Sequence, residues 1–174
     1  MRKHIITFIS ILTALLAACT EKIGYNTLLV QADSLMTSHS DSALHILQGI
    51  STESLNTKAD RAYYALLLTQ ARDKNYIVQT DDSLIQMAVR YYDSMRDCKM
   101  QAQAYYYWGS VYRDRNEQAI AAEKYLMAIP FAQEINDKVL LGRIYNNAGY
   151  LYIYKNFTTK RILFSGKQRK SVSV

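Results

Sequence analysis

The chain has 174 residues, enough for one domain, and 49% of them are apolar, which excludes wholesale disorder. Six Gly and one Pro are too few for a turn-dense β-sandwich or barrel, and two Cys exclude a disulfide scaffold. The formal charge is +6, but the excess sits at the two ends: between Cys19 and Tyr154 the acids outnumber the bases by two, so the body of the chain offers no basic face to nucleic acid.

In chain order, Arg2 and Lys3 precede an apolar run from Ile5 to Leu16. That run is shorter than the roughly 20 residues that span a bilayer, and it matches the hydrophobic region of a secretory signal peptide. It ends in Leu16-Ala17-Ala18-Cys19. This box resembles the lipobox of bacterial lipoproteins. The resemblance implies that residues 1–18 are removed, that the Cys19 thiol carries lipid, and that residues 19–24 are a short tether. Acyl chains gain about 0.8 kcal/mol per buried CH₂, so several of them make a stable anchor. The expected location is the cell envelope, on the periplasmic side of the inner or outer membrane. Cys98 is then left without an intramolecular partner and reads as a spare or partly buried thiol.

From Tyr25 onward apolar residues recur at helical spacing. A first stripe holds Tyr25, Leu28, Leu29, Ala32, Leu35 and Met36. Ser40-Asp41 is expected to cap a short second helix carrying Ala43, Leu44, Leu47 and Ile50. Tyr63, Tyr64, Leu67, Leu68 and Ala71 form the next stripe. Asp81-Asp82 is expected to open a helix through Leu84, Ile85, Ala88, Tyr91, Tyr92 and Met95. Two further stripes follow, Tyr105 to Tyr112 and Ile120 to Ala132, the second interrupted by Pro130, which predicts a kink. The last stripe runs from Leu140 through Ile144, Tyr145, Ala148 and Gly149 to Tyr152. Short polar connections predict antiparallel neighbours, and no segment alternates with the period of a strand.

The clearest internal unit runs from Ala102 to about Ile135, with Trp108, Gly109 and Tyr112 followed by Ala121, Tyr125 and Ala128. Tyr145, Gly149 and Tyr152 repeat its first half forty residues on, and Ala88 and Tyr92 echo Ala121 and Tyr125. This pattern resembles the tetratricopeptide repeat, and with the leader it resembles repeat lipoproteins of Bacteroidetes or the N-terminal parts of repeat-containing regulators. The resemblance implies an all-α fold over residues 25–154: a right-handed superhelix of antiparallel helical hairpins, about three and a half repeats of an α-solenoid. Small residues sit where helices cross, and aromatics fill the adjacent holes. The family binds peptides along its first helices. Carried over, those positions are Gln103, Tyr106, Ser110 and Arg113 in one repeat and Arg143, Asn146, Asn147 and Tyr150 in the next. An Asn on such a face bonds both the NH and the CO of an extended chain.

The register of a further second helix fails at Arg161, Ser165 and Gln168, and residues 155–174 hold bases but no acid. They read as an irregular tail of a shortened or frameshifted chain, which would leave the face of Ile144, Ala148 and Tyr152 open to self-association. No nucleophile–base pair, phosphate loop or metal-ligand spacing is present, and His39 and His45 lack companions for a metal site. No cofactor and no enzymatic activity are expected. The expected function is a lipid-anchored scaffold for a protein or peptide; the alternative is the sensory part of a longer membrane-spanning transcriptional regulator.

Overall fold

The computed structural model describes residues 25–151. The leader, Cys19, Tyr152 and the tail 155–174 lie outside these residues. Among the described residues there are seven helices and no strand. They are α1 (Thr27–Leu35), α2 (Ser40–Gln48), α3 (Lys58–Lys74), α4 (Ser83–Met95), α5 (Cys98–Asp114) and α6 (Gln118–Glu134), with a 3₁₀ turn at Thr52–Ser54. A seventh, α7, begins at 138 and is helical to 151.

Local chemistry accounts for the helix ends. Thr57 and Asp60 form a reciprocal cap: the Asp60 N–H donates to Thr57 Oγ1 at 2.9 Å, and that hydroxyl donates to the Asp60 carboxylate at 2.8 Å. Asn26 and Asp97 cap α1 and α5 in the usual way. At α2 the expected cap by Ser40-Asp41 is displaced: Ser40 is already helical, and His39 precedes it without a side-chain capping bond. Helices α3, α4, α5 and α6 end in one motif, with a left-handed residue at Tyr76, Arg96, Asn116 or Asn136 and the next N–H reaching back to Arg72, Tyr92, Tyr112 or Ala132. Helix α6 runs on through Pro130 without ending there.

Helices pair in sequence, α1 with α2, α3 with α4, and α5 with α6, while α1, α3 and α5 also touch one another in turn. These neighbouring contacts are consistent with stacked helical hairpins. Two clusters form the core. One joins α1, α2 and α3 around Leu29, Met36, Leu47 and Leu67; the other joins α3 to α7 around Leu66, Ile85, Tyr92, Tyr125 and Ile144. Leu28, expected on the inner stripe, is instead exposed.

Close packing explains the small residues. A Cβ placed on Gly109 would meet the Tyr125 ring at 2.6 Å, and Ala121 and Ala128 are wholly buried beside it. The register continues into α7, where Ile144 is buried rather than open as expected, and Tyr145 is the exposed residue. A Cβ placed on Gly142 or Gly149 of α7 would meet nothing within 4 Å among the described residues.

Candidate functional site

Helices α3, α5 and α7 bring polar side chains to one side of the stack. The centre is Arg113. Its guanidinium donates to Asp73 of α3 at 2.7 Å and to Asp114 at 2.8 and 3.3 Å. The other Asp114 oxygen accepts the Gln79 N–H at 3.1 Å, and the buried Gln79 amide donates to Thr69 C=O at 3.2 Å. Burial acts against the charge on Arg113, but its bonds to Asp114 and Asp73 outweigh that and raise its pKa above the ordinary value.

A second link spans α5 and α7. Asn147 Nδ2 donates to the Tyr106 hydroxyl at 3.0 Å. Tyr106 is buried against Tyr107 and Tyr125, and burial raises its pKa. Ser110 is wholly buried with its hydroxyl 3.2 Å from that of Tyr125, so it supports the face from beneath. Burial pushes the Tyr125 phenol up to about 12. Gln103 is half-buried on α5, and Arg143, Asn146 and Tyr150 stand exposed on α7. Of the eight residues carried over from the repeat pattern, the structure therefore joins Tyr106 directly to Asn147 and ties Arg113 back to α3.

At one end of this face lies a cavity of 610 Å³, bordered by Ser40, Asp73, Lys74, Arg113, Asp114 and the turn Tyr76 to Val78. The sequence pattern did not point to Asp73, Lys74 or this turn. Asp73, next to Lys74 in the chain, is bonded to Arg113. Burial lowers the Lys74 pKa, Arg143 lowers it further, and Asp73 offsets part of this.

A separate cluster clamps the α3–α4 connection to α5. Asp82 Oδ2 accepts hydrogen bonds from Gln86 at 2.7 Å, Tyr112 at 2.8 Å and Trp108 at 3.0 Å. The expected role of Asp82 as a helix-start residue holds only by position, because its side chain makes no capping bond. Arg115 and Lys124 lie over the Tyr112 and Trp108 rings at 4.9 and 4.4 Å. Tyr63 to Asp33 at 2.7 Å and Tyr105 to Asp93 at 2.9 Å are further cross-helix ties. These bonds tie one helix to another.

Cys98 is the first residue of α5 and half-buried. Among the described residues no group of three His, Cys, Asp or Glu side chains stands close enough to hold a metal, and no helix is long and apolar enough to cross a membrane. Comparison with protein-family models, with curated proteins and with solved structures finds no match.

Proposed function

We propose that the chain is a non-enzymatic binding module for an extended protein segment, exported and anchored in the bacterial cell envelope by lipid on Cys19. The observation that carries the binding reading is the convergence of α3, α5 and α7. Arg113 is tied to Asp73, and Asn147 to Tyr106, so side chains from three successive first helices share one face. In a tetratricopeptide-like stack that face is concave. Asn147 uses one N–H on Tyr106 and keeps its carbonyl and second N–H for a peptide backbone. The exposed Asn146 beside it offers the same pair of groups. Locking Asn147 in place in advance lowers the entropy that a ligand must overcome.

The test uses the full chain as bait in cell-envelope extract. Wild type recovers a partner that Asn147→Ala loses; equal recovery by the two proteins refutes the assignment of the face. The anchor has its own test, because palmitate label enters wild type and not Cys19→Ala. Equal labelling of both removes the lipoprotein reading.

A further inference from the structure

We infer that the cleft between the start of α3 and the exposed side of α4, edged by Lys58, Arg61 and Arg90, seats the phosphate headgroup of an anionic lipid in the membrane that holds the Cys19 anchor. This rests on the proposed anchor and adds how the folded part of the chain meets that membrane. The cleft encloses 360 Å³, within the ~300–1,000 Å³ of small-ligand sites, and Met87, Tyr91 and Ser94 complete its lining. None of these residues belongs to the proposed binding face.

The lining carries three bases and no acid. Lys58, Arg61 and Arg90 are exposed, and none forms an ion pair among the described residues. The carboxylates closest to them in the chain are bonded elsewhere. Asp60 accepts the Asn26 N–H and the Thr57 hydroxyl, both at 2.8 Å, and Asp93 accepts Gln101 and Tyr105, both at 2.9 Å. The two arginines are steadied by neutral acceptors: Arg61 donates to Leu55 C=O at 3.0 Å and Arg90 to the Gln86 side-chain oxygen at 3.2 Å. Each guanidinium keeps further N–H donors, in a fork that matches phosphate oxygens.

The same end of the molecule receives the chain from the anchor. Asp60, which takes the Asn26 N–H, lies between Lys58 and Arg61 in the first turn of α3. The Tyr25 ring lies against Tyr63 of α3 with centroids 4.2 Å apart, and Tyr25 and Tyr91 of α4 act on one another electrostatically. Cys19 is seven residues before Asn26, and seven residues reach at most about 25 Å. A bilayer holding the lipid of Cys19 is therefore kept within that reach of the start of α3.

The exposed side of α4 suits such a surface. Met87, Tyr91 and Met95 recur every four residues with Arg90 and Ser94 on the same stripe, and Met87 is 39% and Met95 50% exposed. An apolar stripe with bases beside it is stable at the headgroup boundary, where anionic lipid attracts the bases and the apolar groups leave water. A dissolved phosphate would engage the bases and leave both methionines in water.

The experiment moves the full chain from bacterial membranes into vesicles of phosphatidylcholine alone, and of phosphatidylcholine with phosphatidylglycerol. Lysines open to a water-soluble acetylating reagent are then read by mass spectrometry. Each base at an anionic surface shifts occupancy about fivefold, so labelling of Lys58 is expected to fall by about tenfold in the anionic vesicles. Lys138, exposed on α7, is expected to label equally in both. Arg61→Gln with Arg90→Gln removes the protection of Lys58 while the chain stays attached, and Arg61→Lys with Arg90→Lys keeps it. Attachment to both kinds of vesicle with equal labelling of Lys58 overturns the inference and leaves the anchor standing, even where lysines of the tail are protected. Protection of Lys58 that survives the glutamine pair also overturns it. Attachment to anionic vesicles alone, with Lys58 protected, removes the anchor and supports the headgroup site. Attachment to neither overturns both. Protection on neutral vesicles by added inorganic phosphate or polyglutamate assigns the cleft to a dissolved anion and overturns the inference.

Discussion

The carboxylate of Asp82 is the acceptor for side chains on two helices, Gln86 on α4 and Trp108 and Tyr112 on α5. Partial burial alone would raise its pKa. The hydrogen bonds from Gln86, Trp108 and Tyr112 outweigh burial and hold it at about 2. A carboxylate held down in the fold stabilises the fold above its ordinary pKa and loses that contribution as pH falls. Asp82→Asn is therefore expected to cost about 1–2 kcal/mol at neutral pH, discounted for its partial exposure. The gap between wild type and variant in urea melts should narrow from pH 4 downward and close only once the pH falls below about 2. A gap that is constant across that range would show that the charge of Asp82 contributes nothing to stability. Tyr105 reports the converse case: burial and its bond to Asp93 push its phenol up to about 12, so it stays protonated as donor.

At the scale of the element, α5 and α7 carry the same Tyr-Gly register and meet different surroundings. Gly109 faces the Tyr125 ring, where an added methyl would lie 2.6 Å from a carbon of a fully buried side chain. Gly149 faces nothing within 4 Å among the described residues. Gly109→Ala is expected to lower stability by about 1–2 kcal/mol, overpacking outweighing the better helix propensity of Ala. Gly149→Ala should raise stability by about 0.5–1 kcal/mol, since propensity alone acts there. Paired thermal melts check the opposite signs; two changes of the same sign would break the link between register and contact. The helices and their pairing were legible because burial imposes a period on the sequence: Ala121, Tyr125 and Ala128 sit on one stripe and all are buried. The groove was legible only through spacing, which marked Arg113, Asn147 and the Asn147 partner Tyr106, but not Asp73, the partner of Arg113. Asp73 lies forty residues from Arg113, and Asp82 lies twenty-six from Trp108, so nothing local announces either bond. Ser110 reads as a surface residue in the sequence because a hydroxyl at that position serves a solvent face or a buried Tyr125 equally well. The turn at Tyr76 is silent in the sequence because left-handed helix ends are signalled by Gly or Asn, and this one uses neither.

Across the whole molecule, the two core clusters meet inside one helix. Ten of the seventeen residues of α3 are buried, and adjacent leucines serve different clusters: Leu66 packs into the α3–α7 cluster, Leu67 into the α1–α3 cluster. Successive helical positions are about 100° apart, so one helix can close two cores at once. In a stack where each hairpin touches its neighbours, stability is a sum of hairpin and interface terms, and a defect stays near its own interface. Leu66→Ala and Leu67→Ala should each cost about 2–5 kcal/mol, because both side chains are almost wholly buried. Their effects should be distributed differently. Native-state hydrogen exchange is expected to show Leu67→Ala releasing the amides of α1 and α2 first, with α5 and α6 staying protected. Leu66→Ala should release α4 to α6 and leave α1 and α2 closer to wild type. Helix α3 itself should be the last to exchange in the unmodified chain, since opening either cluster still leaves it packed in the other. Identical exchange patterns in the two variants would mean that the chain opens as one cooperative unit, and the description as stacked, separately closing hairpins would have to be given up.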